Sequence, residues 1–177
     1  MKQKFGVPAM NRTILQILFV SLITLLSACG VYTFRDVSID YSKIKTFKVE
    51  FIENKAPYKN PLLSPSLTDA LRQKITSYTK LTPTQNDDAH YQIKGYISNY
   101  SVSTSAISGQ QAAANRLTVA AHMTLINTVE NKTQEFDVSR DFDFSAGISL
   151  TQAEGSLMPD IVKNMSDEIF NRLFSNW

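Results

Sequence analysis

Residues 117–125 alternate without a fault. Leu117, Val119, Ala121, Met123 and Leu125 stand against Thr118, Ala120, His122 and Thr124. A two-residue period of this kind builds a strand with one buried face. The segments on either side repeat it. Tyr91, Ile93 and Ile97 alternate with Gln92, Lys94 and Tyr96, and Phe136, Val138, Phe142 and Phe144 alternate with Asp137, Ser139, Asp141 and Asp143. Arg140 interrupts the apolar side of the third segment. In the first, the apolar phase slips at Ser98-Asn99, so that Tyr100 and Val102 fall on the other parity, as a bulge or bend would produce. Asn127 to Thr133 supplies a turn, and the Ser/Ala/Gln-rich stretch from Ser101 to Asn115 reads as a long hairpin tip. Three consecutive strands joined in this way predict an antiparallel meander.

Two helices flank these strands. Leu67, Leu71, Ile75 and Tyr78 form one stripe. Ser64 suits the cap, Pro65 the first helical position, and Ser66 with Asp69 resembles a capping box. Leu157, Ile161, Met165, Ile169 and Leu173 form a second stripe, with Ser156 as its expected cap and Pro159 in its first turn; 146–155 reads as a polar link. Upstream, Lys45 to Glu53 predicts a strand with Phe47, Val49 and Phe51 on one face, and Leu81 to Thr84 a short edge segment. The expected fold class is α+β, a two-layer sandwich with a four-stranded, mostly antiparallel sheet and two helices packed on one face. The other sheet face, bearing Lys48, Glu50, Gln92, Lys94, Thr118 and Thr124, is expected to meet water or a polar partner.

The amino terminus carries a different signal. Lys2, Lys4 and Arg12 precede an apolar run from Ile14 to Leu26, which ends in Ser27 and Ala28 before Cys29, the single cysteine. The run is shorter than the roughly 20 residues that span a bilayer. Charged start, apolar middle and small-residue end make a cleavable secretory leader. A cysteine at the cut resembles the lipobox of bacterial lipoproteins, where the thiol is lipidated and becomes the first residue. The expected organisation is a signal peptide at 1–28, a lipidated extended leader at 29–42 and one domain at 43–177. Met10 is an alternative start that leaves the mature chain unchanged.

Removing residues 1–28 leaves 149, enough for a core without disulfides. The leader holds three of the 18 basic residues and none of the 16 acidic ones, which leaves 15 against 16 and a net charge of −1 with histidines neutral. Such balance argues against nucleic acid as a partner. No enzyme set emerges either. There is no G-x-S-x-G or H-E-x-x-H, and the lipid consumes Cys29. Asp87, Asp88 and His90 lack a further histidine or cysteine to complete a metal site. Asp137, Asp141 and Asp143 read as a solvated strand face rather than catalytic acids. No metal and no cofactor is expected beyond the covalent lipid on Cys29. Lys94 and Arg116 are the candidate contacts for phosphate or carboxylate groups.

Several local patterns then converge in order and spacing. They are Cys29-Gly30-Val31-Tyr32-Thr33-Phe34, Asn60-Pro61-Leu62-Leu63-Ser64, Leu67-Thr68-Asp69-Ala70-Leu71-Arg72, Ala113-Ala114-Asn115-Arg116-Leu117-Thr118, and Ile169-Phe170-Asn171-Arg172 followed by Trp177. Together, over 29–177, they resemble the LptE lipopolysaccharide-assembly lipoproteins in their Bacteroidetes form. The resemblance implies a non-enzymatic outer-membrane lipoprotein that faces the periplasm and sits in the lumen of an LptD-type β-barrel. There it would plug the barrel, help it assemble and assist lipopolysaccharide delivery to the surface. The family's lipopolysaccharide contacts are basic, and Lys94 and Arg116 are the candidates for that role here, by their residue type rather than by a matched motif. Gly30, where enterobacterial inner-membrane lipoproteins carry aspartate, agrees with an outer-membrane destination. The alternative is a lipoprotein subunit of another envelope assembly or export complex.

Overall fold

The computed structural model describes residues 39–108 and 111–174. Cys29, the leader before residue 39 and Trp177 lie outside the described residues. In chain order the elements are β1 (Thr46–Val49), β2 (Glu53–Asn54), α1 (Leu63–Tyr78), β3 (Thr82–Pro83), β4 (Tyr91–Ser108), β5 (Gln111–Asn127), β6 (Lys132–Ser145) and α2 (Leu150–Phe174).

The sheet is six-stranded and mixed, not four-stranded and mostly antiparallel. Its order is β3-β1-β4-β5-β6, with β2 pairing β4 off that path. β1 runs parallel to both β3 and β4, and β2 runs parallel to β4. The physical reason is the position of α1. A helix between two strands is a crossover, and a crossover returns the chain in the same direction. β1–α1–β3 is such a unit, and Thr82 and Thr84 N–H groups donate to the Lys45 and Phe47 carbonyls at 2.9 Å. Pro83 is tolerated because β3 is an edge.

The long strand expected at 45–53 is broken in two. Phe47 and Val49 are buried as their parity requires, but Phe51 is 60% exposed and Ile52 is fully buried. The phase slips after β1, and β2 resumes against Tyr96 and Ile97. The Ile52 N–H donates to Thr68 Oγ1 on α1 at 3.0 Å, which ties the slip to the helix.

β4, β5 and β6 form the meander. The Ser98 slip is a register shift between Ile97 and Asn99, and it turns Tyr100 onto the core face. The segment read as a hairpin tip is paired instead: β4 continues to Ser108 and β5 begins at Gln111, with further shifts near Ala106. The backbone ladder carries this ribbon from Ser101 opposite Thr118 to Ser108 opposite Gln111.

Both helices begin at the ribbon end and run parallel, as the Lys74–Asp167 ion pair and the Tyr78–Phe170 ring contact (5.8 Å) show. Leu67, Leu71 and Ile75 of α1 and Ile161, Met165 and Ile169 of α2 are fully buried in the core shared with the sheet. Tyr78, expected in the α1 stripe, is 64% exposed. Capping also differs at both starts. α1 begins at Leu63 without a side-chain cap; Asn60 Oδ1 accepts from the Leu62 N–H at 2.9 Å, while Ser64 is buried. α2 begins at Leu150, inside the expected link. Ser149 Oγ accepts from the Gln152 N–H (3.3 Å) and Gln152 Oε1 accepts from the Ser149 N–H (3.0 Å), a reciprocal capping box. Pro159 therefore lies inside the helix. Its missing donor frees the Gly155 carbonyl, and both residues are on the exposed side, where water can take the acceptor.

Candidate functional site

The helices cover one face of the sheet, and the other face carries the polar side chains of β1, β4, β5 and β6. Here Lys48 Nζ meets Asp87 Oδ1 at 2.5 Å and Lys94 Nζ meets Glu50 Oε1 at 3.1 Å. Register then pairs β5 with β6: Arg116 stands opposite Asp143, Thr118 opposite Asp141 and His122 opposite Asp137. Arg116 donates from both Nε and a terminal nitrogen to the two Asp143 oxygens, at 2.8 and 3.0 Å. Thr118 Oγ1 donates to Asp141 at 2.7 Å, and His122 Nδ1 lies 2.9 Å from Asp137 Oδ1. Tyr96 lies beside the His122 ring and beneath Lys55, whose Nζ is 4.6 Å from the ring centre.

Two of these pairs, Lys48 with Asp87 and Arg116 with Asp143, shift titrations in the direction of charge retention. The hydrogen bond from Arg116 holds the Asp143 carboxyl below its ordinary value, and the bond from Lys48 does the same for Asp87. Those two carboxylates in turn raise Arg116 and Lys48. The face thus carries ion pairs on exposed strands, with more carboxylates than cations along β6. Such pairs orient side chains and contribute little to stability.

The two candidate contacts do not form one site. Lys94 stands beside Thr124, eight residues along β5 from Arg116. At the rise of a strand this separates them by about 27 Å. Each already has a carboxylate neighbour. The cluster considered for a cation is likewise dispersed. Asp87 is bound to Lys48, while His90 Nδ1 accepts from the Lys45 and Thr46 N–H groups, both at 3.1 Å. Among the described residues no three carboxylate, histidine or cysteine groups are placed to hold a metal. None of the described helices is long and apolar enough to cross a membrane.

Sequence reading missed one polar cluster. Glu154, in the second turn of α2, is only 7% exposed. Tyr100 donates to it at 2.7 Å and Tyr58 at 3.2 Å, and the two phenol rings stack at 5.4 Å. The cluster clasps the start of α2 to β4 and to the loop before α1. An acidic residue five positions after a helix cap reads as surface, so the sequence carries no mark of its burial. Glu154→Ala is expected to cost about 2 kcal/mol, because Tyr100 is left as a buried unpaired donor. Glu154→Gln, which keeps an acceptor, should cost under half of that; urea unfolding at neutral pH checks both.

Burial and the bond to Glu154 push the Tyr100 phenol above its ordinary value. The folded state therefore prefers the neutral phenol. The associated stability is complete below the unfolded tyrosine value near ~10 and is lost as pH rises beyond it. Urea midpoints taken from about pH 8 to pH 12 should fall at the alkaline end, and Tyr100→Phe should flatten that fall.

Residues 44–173 match the profile of the LptE family, described as lipopolysaccharide-assembly. No individually curated protein matches. Among solved structures, a minor lipoprotein from Acinetobacter baumannii is similar at TM-score 0.50 and 12% identity, covering 73% of this chain and 91% of its own. The hypothetical protein CT253 from Chlamydia trachomatis is similar at TM-score 0.51 and 8% identity, covering 75% and 99%. A homolog of neuraminyllactose-binding hemagglutinin from Helicobacter pylori is similar at TM-score 0.55 and 10% identity, covering 81% and 90%. At these identities the likeness is one of fold. The family match is broader in meaning, for it runs from just before β1 almost to the end of α2, and it places the chain in the LptE family of non-catalytic lipopolysaccharide-assembly lipoproteins.

Proposed function

We propose that this chain is anchored through lipid on Cys29, faces the periplasm from the outer membrane, and occupies the lumen of an LptD-type β-barrel. There it plugs the barrel, helps it assemble and assists lipopolysaccharide delivery to the cell surface. The observation that carries this reading is the family match across the whole two-helix, six-stranded domain. Two physical points support it. A domain of this length has a radius of gyration of about 15 Å, so its host must be a large barrel. Barrel lumens are polar, and the open sheet face offers paired charges and hydroxyls rather than a greasy surface.

The test is extraction of the full-length protein in mild detergent followed by mass spectrometry of what accompanies it. Stoichiometric recovery of an LptD-type barrel is expected. A free monomer would sink the reading, and a different barrel or export component would move the protein to another envelope complex. Depletion should lower lipopolysaccharide at the cell surface.

Lys94 and Arg116 are the proposed contacts for anionic groups of lipopolysaccharide, each sharing its charge between the ligand and its own carboxylate. Replacing both with alanine is expected to change stability by less than about 1 kcal/mol, as for exposed ion pairs, while reducing crosslinking to lipopolysaccharide. Unchanged crosslinking would remove them as contacts.

A further inference from the structure

The outer edge of β6 is long, regular and, among the described residues, unpaired. β6 pairs with β5 over 14 consecutive residues, from Lys132 opposite Asn127 to Ser145 opposite Ala114, with no register shift. Its other side pairs with nothing among the described residues. Natural sheets blunt such edges by shortness, proline, bulges or lysines. The opposite edge obeys this rule: β3 has two residues, and one is Pro83. β6 uses none of the backbone devices. It contains no proline, glycine or bulge, and its one lysine is its first residue.

What guards β6 is negative charge. Glu135, Asp137, Asp141 and Asp143 project at alternate positions onto the open face of the sheet. Arg116 is the one guanidinium among their cross-strand partners, with His122 opposite Asp137. This excess of carboxylates opposes pairing with a second copy of the same edge, since like charges on adjacent strands repel. It favours a strand that brings cations. Past Lys132 the other parity is apolar but for Gln134 and Arg140, and Arg140 is drawn toward α2 by its ion pair with Glu168. Phe136, Val138, Phe142 and Phe144 face α2, and Leu150, Leu157 and Phe136 remain partly uncovered there. Leu150 and Leu157 share a helical line with Glu168, which pairs with Arg140 of β6, so they flank this strand.

We infer that the outer edge of β6 is a docking strand for an extended segment of a partner protein that alternates basic and apolar residues. Main-chain hydrogen bonds to the edge supply the attachment, and the two rows of side chains supply the selection. An added strand sets its basic side chains about 5 Å from the acidic row, and its apolar ones beside the flank of α2. This goes beyond the lipopolysaccharide reading and does not depend on it.

The experiment uses the full-length protein in detergent micelles and a fluorescent peptide of about eight residues that alternates lysine and valine. Two further peptides keep its charge but carry N-methyl groups on alternate amides, one in each register, and another replaces lysine by glutamate. The plain peptide should bind, and one N-methylated register should bind at least about tenfold more weakly, since it loses ladder bonds. The double variant D137N/D141N should weaken the plain peptide about three- to tenfold. Glutamate peptide should not bind. Hydrogen exchange should show new protection of β6 amides alone among the strands. Equal binding of both N-methylated peptides would reduce the contact to charge attraction and overturn the inference, as would absence of binding or indifference to the aspartates. The N-methyl comparison uses unaltered protein and stays decisive even if the variant misfolds. None of these failures touches co-purification with a barrel.

Discussion

Cys29→Ser is expected to strip the acyl mass from the N-terminal peptide and to end stable attachment of the mature domain to membranes. The argument is nucleophilic and then hydrophobic. A thiolate accepts a lipid readily, whereas a serine hydroxyl at its ordinary acidity does not. Each buried methylene contributes about 0.8 kcal/mol, so one chain holds marginally and two or more hold firmly. No other cysteine is available to substitute. Without lipid the chain either stays an uncut precursor, held by an apolar run too short to span, or is cut and released. Mass spectrometry of the N-terminal fragment separates these outcomes from anchoring, because neither carries acyl chains. An unchanged N-terminal lipid mass, or release of the unaltered protein by salt alone, would refute the anchor. Loss of the anchor should also lower recovery of the proposed barrel complex, since it removes the domain from the surface where the barrel assembles.

Much of this domain was legible because its signals are local. The β5 period, the α1 and α2 stripes and the Ser98 slip each follow from a few neighbouring residues and one buried face. What escaped is non-local or competes with a louder local signal. Phe51 continues the alternation of Phe47 and Val49, yet Ile52 wins the core because its N–H is held by Thr68. Ser149 and Gln152 formed a readable capping box, but Pro159 drew the expected start downstream to Ser156. The parallel pairing of β1, β2 and β3 was implicit in a strand–helix–strand order that the meander overshadowed. On the open face, Arg116 and the aspartate row are each visible in the sequence, but their pairing is not. That pairing depends on register, which closes at Asn127 opposite Lys132 through a turn where Asn131 takes φ 51°. Once that turn is placed, Arg116 must stand opposite Asp143. Glu154 offers no comparable route, for its burial depends on two tyrosines from distant segments.

Gly95→Ala is expected to destabilise the fold by about 3 kcal/mol, at the top of the range for overpacking. A fall in Tm of about 10 °C should accompany it in a domain of this size. Gly95 lies on the core parity of β4 between Ile93 and Ile97, opposite Met123 of β5. A Cβ there would sit 2.4 Å from Met123 Sδ and 2.6 Å from the His122 carbonyl oxygen. The two contacts differ in kind. The thioether is flexible and can swing away at modest cost. The carbonyl belongs to the paired strand, so relief requires β4 and β5 to separate and the ladder beneath the open face to shift. Met123→Ala distinguishes them. Alone it should cost about 2–5 kcal/mol as a cavity. Combined with Gly95→Ala it removes the sulfur clash but not the carbonyl clash, so the double variant should remain less stable than Met123→Ala. Equal stability of those two would show that only the side chain mattered. A cost below about 0.5 kcal/mol for Gly95→Ala alone would show that β4 and β5 yield freely. The glycine therefore tests whether the ladder that fixes His122 opposite Asp137, and with it the carboxylate row along β6, is a rigid frame.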